Sequence, residues 1–163
     1  MRAICPGTFD PTTNGHIDII QRAASVFKDV IVAVVKTSSK DTLFTYPERL
    51  KFVQKAVGGL KGVKVEGFDG LVVTFAGKKK AGVIVRGLRM ISDFEYEFQM
   101  ALTNRSLGPT IETVFLMPHP QYSYISSRLI KEAAFLGAKL DKFLPLTVAK
   151  ALKEKIQRSK GTF

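Results

Sequence analysis

Three stretches of this sequence hold side chains and backbone of the kind that binds and moves phosphate. Pro6-Gly7-Thr8-Phe9-Asp10-Pro11-Thr12-Thr13-Asn14-Gly15-His16 joins an apolar strand pattern to a helical one. Its glycines let the backbone come close to a phosphate. The helix that follows offers unpaired N–H groups and a positive dipole end, and His16 falls in its first turn. Neither GxxxxGK[ST] nor GxGxxG is present, and a Pro/Gly turn whose histidine only caps the helix start reads equally well at this stage. In Val85-Arg86-Gly87-Leu88-Arg89, two guanidiniums leave an apolar strand on either side of a glycine. Arginines anchored in this way suit bidentate capture of phosphate. The Pro- and aromatic-rich stretch from Pro118 to Tyr124 leads into Ile125-Ser126-Ser127-Arg128, where two hydroxyls and several N–H groups meet at a helix N-terminus. One serine is expected as the N-cap, which leaves the other for a phosphate. A phosphate ligand needs positioned donors of this kind.

Such donors converge only if the elements carrying them do. Candidate strands run Arg2 to Cys5, Val30 to Val35, Val63 to Phe68, Gly82 to Val85 and Thr113 to Leu116, and the continuous aliphatic runs among them predict strands covered on both faces. Between them, Ile17, Ile20, Ala24 and Phe27, and then Leu50, Val53 and Val57, recur at helical spacing. Thr45 to Glu48 and Ser92 to Glu95 read as capping boxes, and Gly58-Gly59 can end the second helix. Strict alternation of strand and helix predicts an α/β fold: a single domain with a doubly wound parallel sheet of five strands. Its ligands should sit beyond the carboxyl strand ends near a topological switch point. Leu146, Ala149, Leu152 and Ile156 predict a terminal helix over about 145–158.

The 163 residues carry a net charge of +11, with 25 Lys+Arg against 14 Asp+Glu, which points to phosphates, nucleic acid or an anionic membrane as partner. The stretch from Arg128 to the end supplies much of it and reads as a solvated helix face, as the Lys78-Lys79-Lys80 run reads as a helix end. No RNP, KH or helix-turn-helix pattern accompanies the charge, so a nucleic-acid partner is not expected. A membrane anchor is not expected either, because no apolar run is long enough. The one cysteine, Cys5, offers neither an internal disulfide nor a metal pair, and a reducing, cytoplasmic setting is expected.

GTFDP, TNGH, RGLR followed by DFEYE, and FLMP leading to ISS occur in that order from Ala3 to about Leu146, and together they resemble the phosphopantetheine adenylyltransferases of the HxGH nucleotidyltransferase superfamily. The resemblance implies a Rossmann-like fold, Mg²⁺, a homohexamer and a reaction: 4′-phosphopantetheine attacks the α-phosphorus of ATP, giving dephospho-CoA and pyrophosphate. It implies that His16 stabilises the transition state, with Thr13 standing where related enzymes carry the motif's first histidine. Thr8 and Lys40 would orient and neutralise the reacting phosphates, and Phe9 would line the ATP site. Arg86 would hold the acceptor phosphate, while Gly87, Leu88 and Arg89 face ATP. Glu97, read cold as part of an acidic first turn, is carried into the ATP site. Tyr122, Ser123, Tyr124, Ile125, Ser126, Ser127 and Arg128 would wrap the adenine and phosphates, although some members have a third hydroxyl residue where this chain has Arg128. Val72 matches a backbone contact to the pantetheine arm, and Leu71, Met100, Leu102 and Asn104 could shape its pocket. No Asp/Glu pair stands out as a metal cage, and Mg²⁺ can ride on the ATP phosphates. The nearest alternative is a relative of the same superfamily acting on another acceptor, such as nicotinamide mononucleotide.

Overall fold

The computed structural model describes residues 1–37 and 41–160. Five strands, β1 (Arg2–Gly7), β2 (Asp29–Val35), β3 (Val63–Phe68), β4 (Val83–Gly87) and β5 (Glu112–Leu116), form one sheet in the order β3-β2-β1-β4-β5. All its pairings are parallel. The helices are α1 (Asn14–Val26), α2 (Tyr46–Val57), α3 (Val72–Lys78), α4 (Ile91–Leu107), α5 (Ser127–Phe135) and α6 (Leu146–Lys160). This is the expected doubly wound, Rossmann-like single domain.

Period-two alternation divides the core. Ala3, Cys5, Val30, Val32 and Val34 face one side, where Ile20 and Ala23 of α1 and Val53 and Val57 of α2 cover them. Ile4, Ile31, Ala33 and Ile84 face the other, covered by Val73 and Ala76 of α3. A third cluster joins Phe44 to Ile130 of α5 and Val148, Leu152 and Ile156 of α6.

Two boundaries matter for the site. β1 continues to Gly7 and β4 to Gly87, so Arg86 stands on its strand rather than in the loop after it. The N-cap of α4 is Met90 rather than the expected Ser92, which falls inside the first turn. The box at Thr45 does form, with the Thr45 N–H donating to Glu48 Oε2 at 2.7 Å, and Gly58 is the C-cap of α2.

Helix α4 is inverted relative to an ordinary surface helix. Its buried side chains are Glu97 and Asn104, while Ile91, Phe94, Phe98 and Leu102 are exposed along another face. Leu102, expected near the pocket, therefore points away from it.

Candidate active site

The sheet opens where its strand order reverses. β1 pairs with β4 through Ala3 and Ile4 only, and further along Pro6 has no N–H to offer β4. Across that gap Arg86 Nη1 donates to the Pro6 carbonyl at 3.1 Å. Beyond it lies a cleft of about 950 Å³, lined by the carboxyl ends of β1 and β4, the start of α1, the inner face of α4 and the start of α5.

The N-cap of α1 sets His16 in place. Thr13 Oγ1 accepts from the His16 N–H at 3.3 Å, and His16 Nδ1 accepts in return from the Thr13 N–H at 3.0 Å. This is a capping box with histidine where glutamate or glutamine usually stands. Because Nδ1 is used as an acceptor, the proton of the neutral ring belongs on Nε2. The Phe9 ring meets the imidazole edge-on at 5.1 Å, and Phe9 holds a left-handed φ of 53° to place it there. Desolvation, then the positive charges of Arg89 and Arg86, push His16 down from 6.5 to about 4. The cleft therefore holds a neutral imidazole that donates.

Two arginines are held in matching ways. Arg86 Nε and Nη2 donate to the two Glu97 oxygens at 2.7 and 2.5 Å, and Arg89 Nε and Nη2 donate to the Asp93 carboxylate at 2.9 and 3.1 Å. Asp93 and Glu97 are one turn apart on α4. Arg89 Nη1 goes to the Ile125 carbonyl at 2.7 Å, as Arg86 Nη1 goes to Pro6. Each guanidinium has five N–H groups, so each keeps two for a ligand. Burial pulls Arg86 down, but the hydrogen-bonded Glu97 carboxylate more than reverses this, and Arg86 stands above its ordinary value.

The third donor group is the start of α5. Ser126 is the N-cap, its hydroxyl accepting from the Leu129 N–H at 3.0 Å, and the Ser127 hydroxyl donates to the Pro11 carbonyl at 2.9 Å, tying this turn to the first loop. The N–H groups of Ser127 and Arg128 lie in the turn whose amides the helix leaves unpaired. The Arg128 side chain is 89% exposed and pairs with Glu132, so this residue offers the cleft its backbone. Beneath them, buried Asp10 accepts from the Leu43 and Phe44 N–H groups at 2.9 and 2.8 Å and from Lys131 Nζ at 2.7 Å. Asp10→Ala should therefore cost about 3 kcal/mol, because a cation and two amides lose one shared acceptor. A fall of about 6–12 °C in a thermal melt checks it.

Thr8, Phe9, His16, Arg86, Gly87, Arg89, Glu97, Tyr122, Ile125, Ser126, Ser127 and Arg128 all line this one cleft, with Leu71, Val72, Met100 and Asn104 at its α3–α4 end. Leu88, Ser123 and Tyr124 do not. Leu88 is buried behind β4, the Ser123 hydroxyl donates to Pro120 O, and exposed Tyr124 meets Phe143 edge-on. Lys40 lies outside the described residues. His119 has a local role, capping the 3-10 turn Pro120–Tyr122 while its N–H donates to Asp18. Cys5 is a buried thiol that desolvation raises to about 12, which leaves no thiolate for nucleophilic work.

Sequence reasoning left Asp10, Asp93 and Arg49 without site roles. Arg49 is 1% exposed and donates to four backbone carbonyls; it stands at i, i+4, i+8 with Val53 and Val57, a charge on the apolar stripe that was there to be seen. Among the described residues no three His, Cys, Asp or Glu side chains gather to hold a metal ion. Asp10, Asp93 and Glu97 each already face a cation. Paired in this way, these residues do not make a Mg²⁺ cage.

Residues 4–133 match the cytidylyltransferase-like family. The chain is 50% identical over 157 residues to the phosphopantetheine adenylyltransferase of Caldanaerobacter subterraneus subsp. tengcongensis, covering 96% of this chain and 98% of that one. With the phosphopantetheine adenylyltransferase of Thermodesulfovibrio yellowstonii the identity is 51% over 156 residues, covering 95% and 97%. A solved structure assigned as a nicotinate-nucleotide adenylyltransferase from Vibrio parahaemolyticus shares the fold with a TM-score of 0.69 at 20% identity, over 93% of this chain and 97% of that one. A bifunctional NMN adenylyltransferase/ADP-ribose pyrophosphatase from Francisella tularensis shares it with a TM-score of 0.64 at 13% identity, over 96% and 51%. No helix among the described residues is long and apolar enough to cross a membrane.

Proposed function

This chain belongs to the cytidylyltransferase-like family and, within it, to the phosphopantetheine adenylyltransferases, and on that premise we propose that its cleft transfers the adenylyl group of ATP to 4′-phosphopantetheine. An oxygen of the acceptor phosphate attacks the α-phosphorus in line, the bond to the bridging β-oxygen breaks, and pyrophosphate leaves with dephospho-CoA as the other product. The attacking phosphate is already anionic near neutral pH, so no general base is needed. No covalent enzyme intermediate forms.

The observation that carries this reading is the meeting of His16, Arg86, Arg89 and the Ser126-Ser127 turn on one cleft at the switch point. Nucleotidyl transfer asks for donors fixed before charge develops. His16 Nε2–H would meet the charge on the α-phosphate, with Thr8 and Lys40 orienting the acceptor oxygen. Arg86 would hold the acceptor phosphate near Val72, Met100 and Asn104. Arg89 would take the β- and γ-phosphates, with Phe9, Gly87, Glu97, Tyr122 and the Ile125–Arg128 turn around the nucleotide. Mg²⁺ enters on the ATP phosphates as part of the substrate.

A homohexamer is part of this proposal. The outward row of Ile91, Phe94, Phe98 and Leu102 on α4, where Phe94 and Phe98 stack at 5.5 Å, is a face that water disfavours and a second copy would cover. The use of ATP and a single buried thiol fit a cytoplasmic setting. Mass identification of the product after incubation with MgATP and a panel of phosphorylated acceptors tests the reaction. Dephospho-CoA from phosphopantetheine is the expected result. Turnover with nicotinamide mononucleotide alone would overturn it.

A further inference from the structure

A guanidinium removed from solvent normally meets a carboxylate. Among the described residues, the hydrogen bonds of Arg49 all go to backbone carbonyls. Nη1 donates to Thr8 O at 2.7 Å and to Val35 O at 2.9 Å, Nη2 to Lys36 O at 3.2 Å, and Nε to Phe44 O at 3.2 Å. These carbonyls belong to three segments: the residue after β1, the end of β2 with the residue after it, and the turn into α2. Arg49 itself is outside the cleft lining, whereas Thr8 is part of it.

We infer that Arg49 is a positioning residue for adenylyl transfer, fixing Thr8 from behind the cleft wall, with its bonds to Val35, Lys36 and Phe44 anchoring the guanidinium. This rests on the functional reading above. Carbonyls at the carboxyl ends of parallel strands are partial negative charges facing a site for polyanions, and Arg49 engages three of them at β1 and β2 with one cation. Its planar fork reaches separate acceptors in fixed directions. A lysine brings the same charge but donates from a single nitrogen, so Arg49→Lys separates charge from geometry.

The test is the single-turnover rate of folded Arg49→Lys at saturating MgATP and phosphopantetheine, with folding checked by circular dichroism. The rate should fall about 100-fold, the scale expected for a misplaced reacting group, while KM for both substrates stays within about threefold. In a Thr8→Ala background, adding Arg49→Lys should change the rate by no more than about twofold, because the arginine's bond to the Thr8 carbonyl acts on the rate by placing the Thr8 hydroxyl that this background lacks. An unchanged rate in Arg49→Lys, or a loss that persists in full without the Thr8 side chain, overturns the inference. So does failure of both Arg49→Lys and Arg49→Gln to fold, which would assign the residue to the fold alone. If the unsubstituted enzyme makes no dephospho-CoA in the same assay, the functional reading itself fails, and this inference goes with it.

Discussion

Replacing His16 by glutamine should lower adenylyl transfer by about 100- to 1,000-fold, the worth of one preorganised transition-state donor, while the protein stays folded. Glutamine is chosen because of the α1 cap. His16 supplies the acceptor for the Thr13 N–H at 3.0 Å, and glutamine at this position of a capping box does the same. What it lacks is a ring donor at the far side. His16→Ala loses both functions and should add about 1 kcal/mol of destabilisation from the broken cap. Because desolvation and then the neighbouring guanidiniums hold His16 at about 4, it stays neutral from pH 5 to 8, and the rate profile should show no His16 inflection there. For stability, the unfolded chain takes up a proton near 6.5 that the folded chain refuses until about 4, so this histidine favours unfolding as pH falls through that interval. His16→Gln should flatten the acid limb of the stability curve. Near-normal turnover in His16→Gln, with a melt like that of the parent, would remove the imidazole from the mechanism.

The sheet was legible because two of its strands hold continuous aliphatic runs, Val30 to Val35 and Val83 to Val85, which suit a doubly covered parallel sheet, and the helices between the strands have clear stripes. The cleft was legible at its loops, since glycine, arginine and paired serines at strand ends are local signals. Helix α4 was not. Asp93, Glu97, Met100 and Asn104 recur at helical spacing, and so do Ile91, Phe94, Phe98 and Leu102. Apolar periodicity alone would turn the second row inward. The structure turns the first row inward, because Arg86 and Arg89 on the sheet side give Glu97 and Asp93 partners that compensate their burial. Arg49 is a similar case. Its place on the stripe of Val53 and Val57 marks it as facing inward, but its partners appear only once β1, β2 and the turn into α2 bring four carbonyls around it.

Arg86→Ala should have two separable effects. It removes the two remaining N–H groups that would grip the acceptor phosphate, so KM for phosphopantetheine should rise by about 10- to 100-fold at the worth of charge-assisted hydrogen bonds, with KM for ATP nearly unchanged. It also leaves Glu97, whose side chain is 11% exposed, without its cation. Breaking such a pair from one side costs about 3 kcal/mol, or about 6–12 °C in Tm. Adding Glu97→Gln removes the stranded charge, so the double variant should regain most of the lost Tm and none of the acceptor affinity. That pattern would separate the pair's role in holding α4 against β4 from the arginine's role toward substrate. If the loss in Arg86→Ala fell on ATP alone, the division of the two guanidiniums between the substrates would be wrong. If the double variant regained acceptor affinity together with Tm, the arginine would be serving only to neutralise Glu97, and the acceptor phosphate would have to be held by other donors in the cleft.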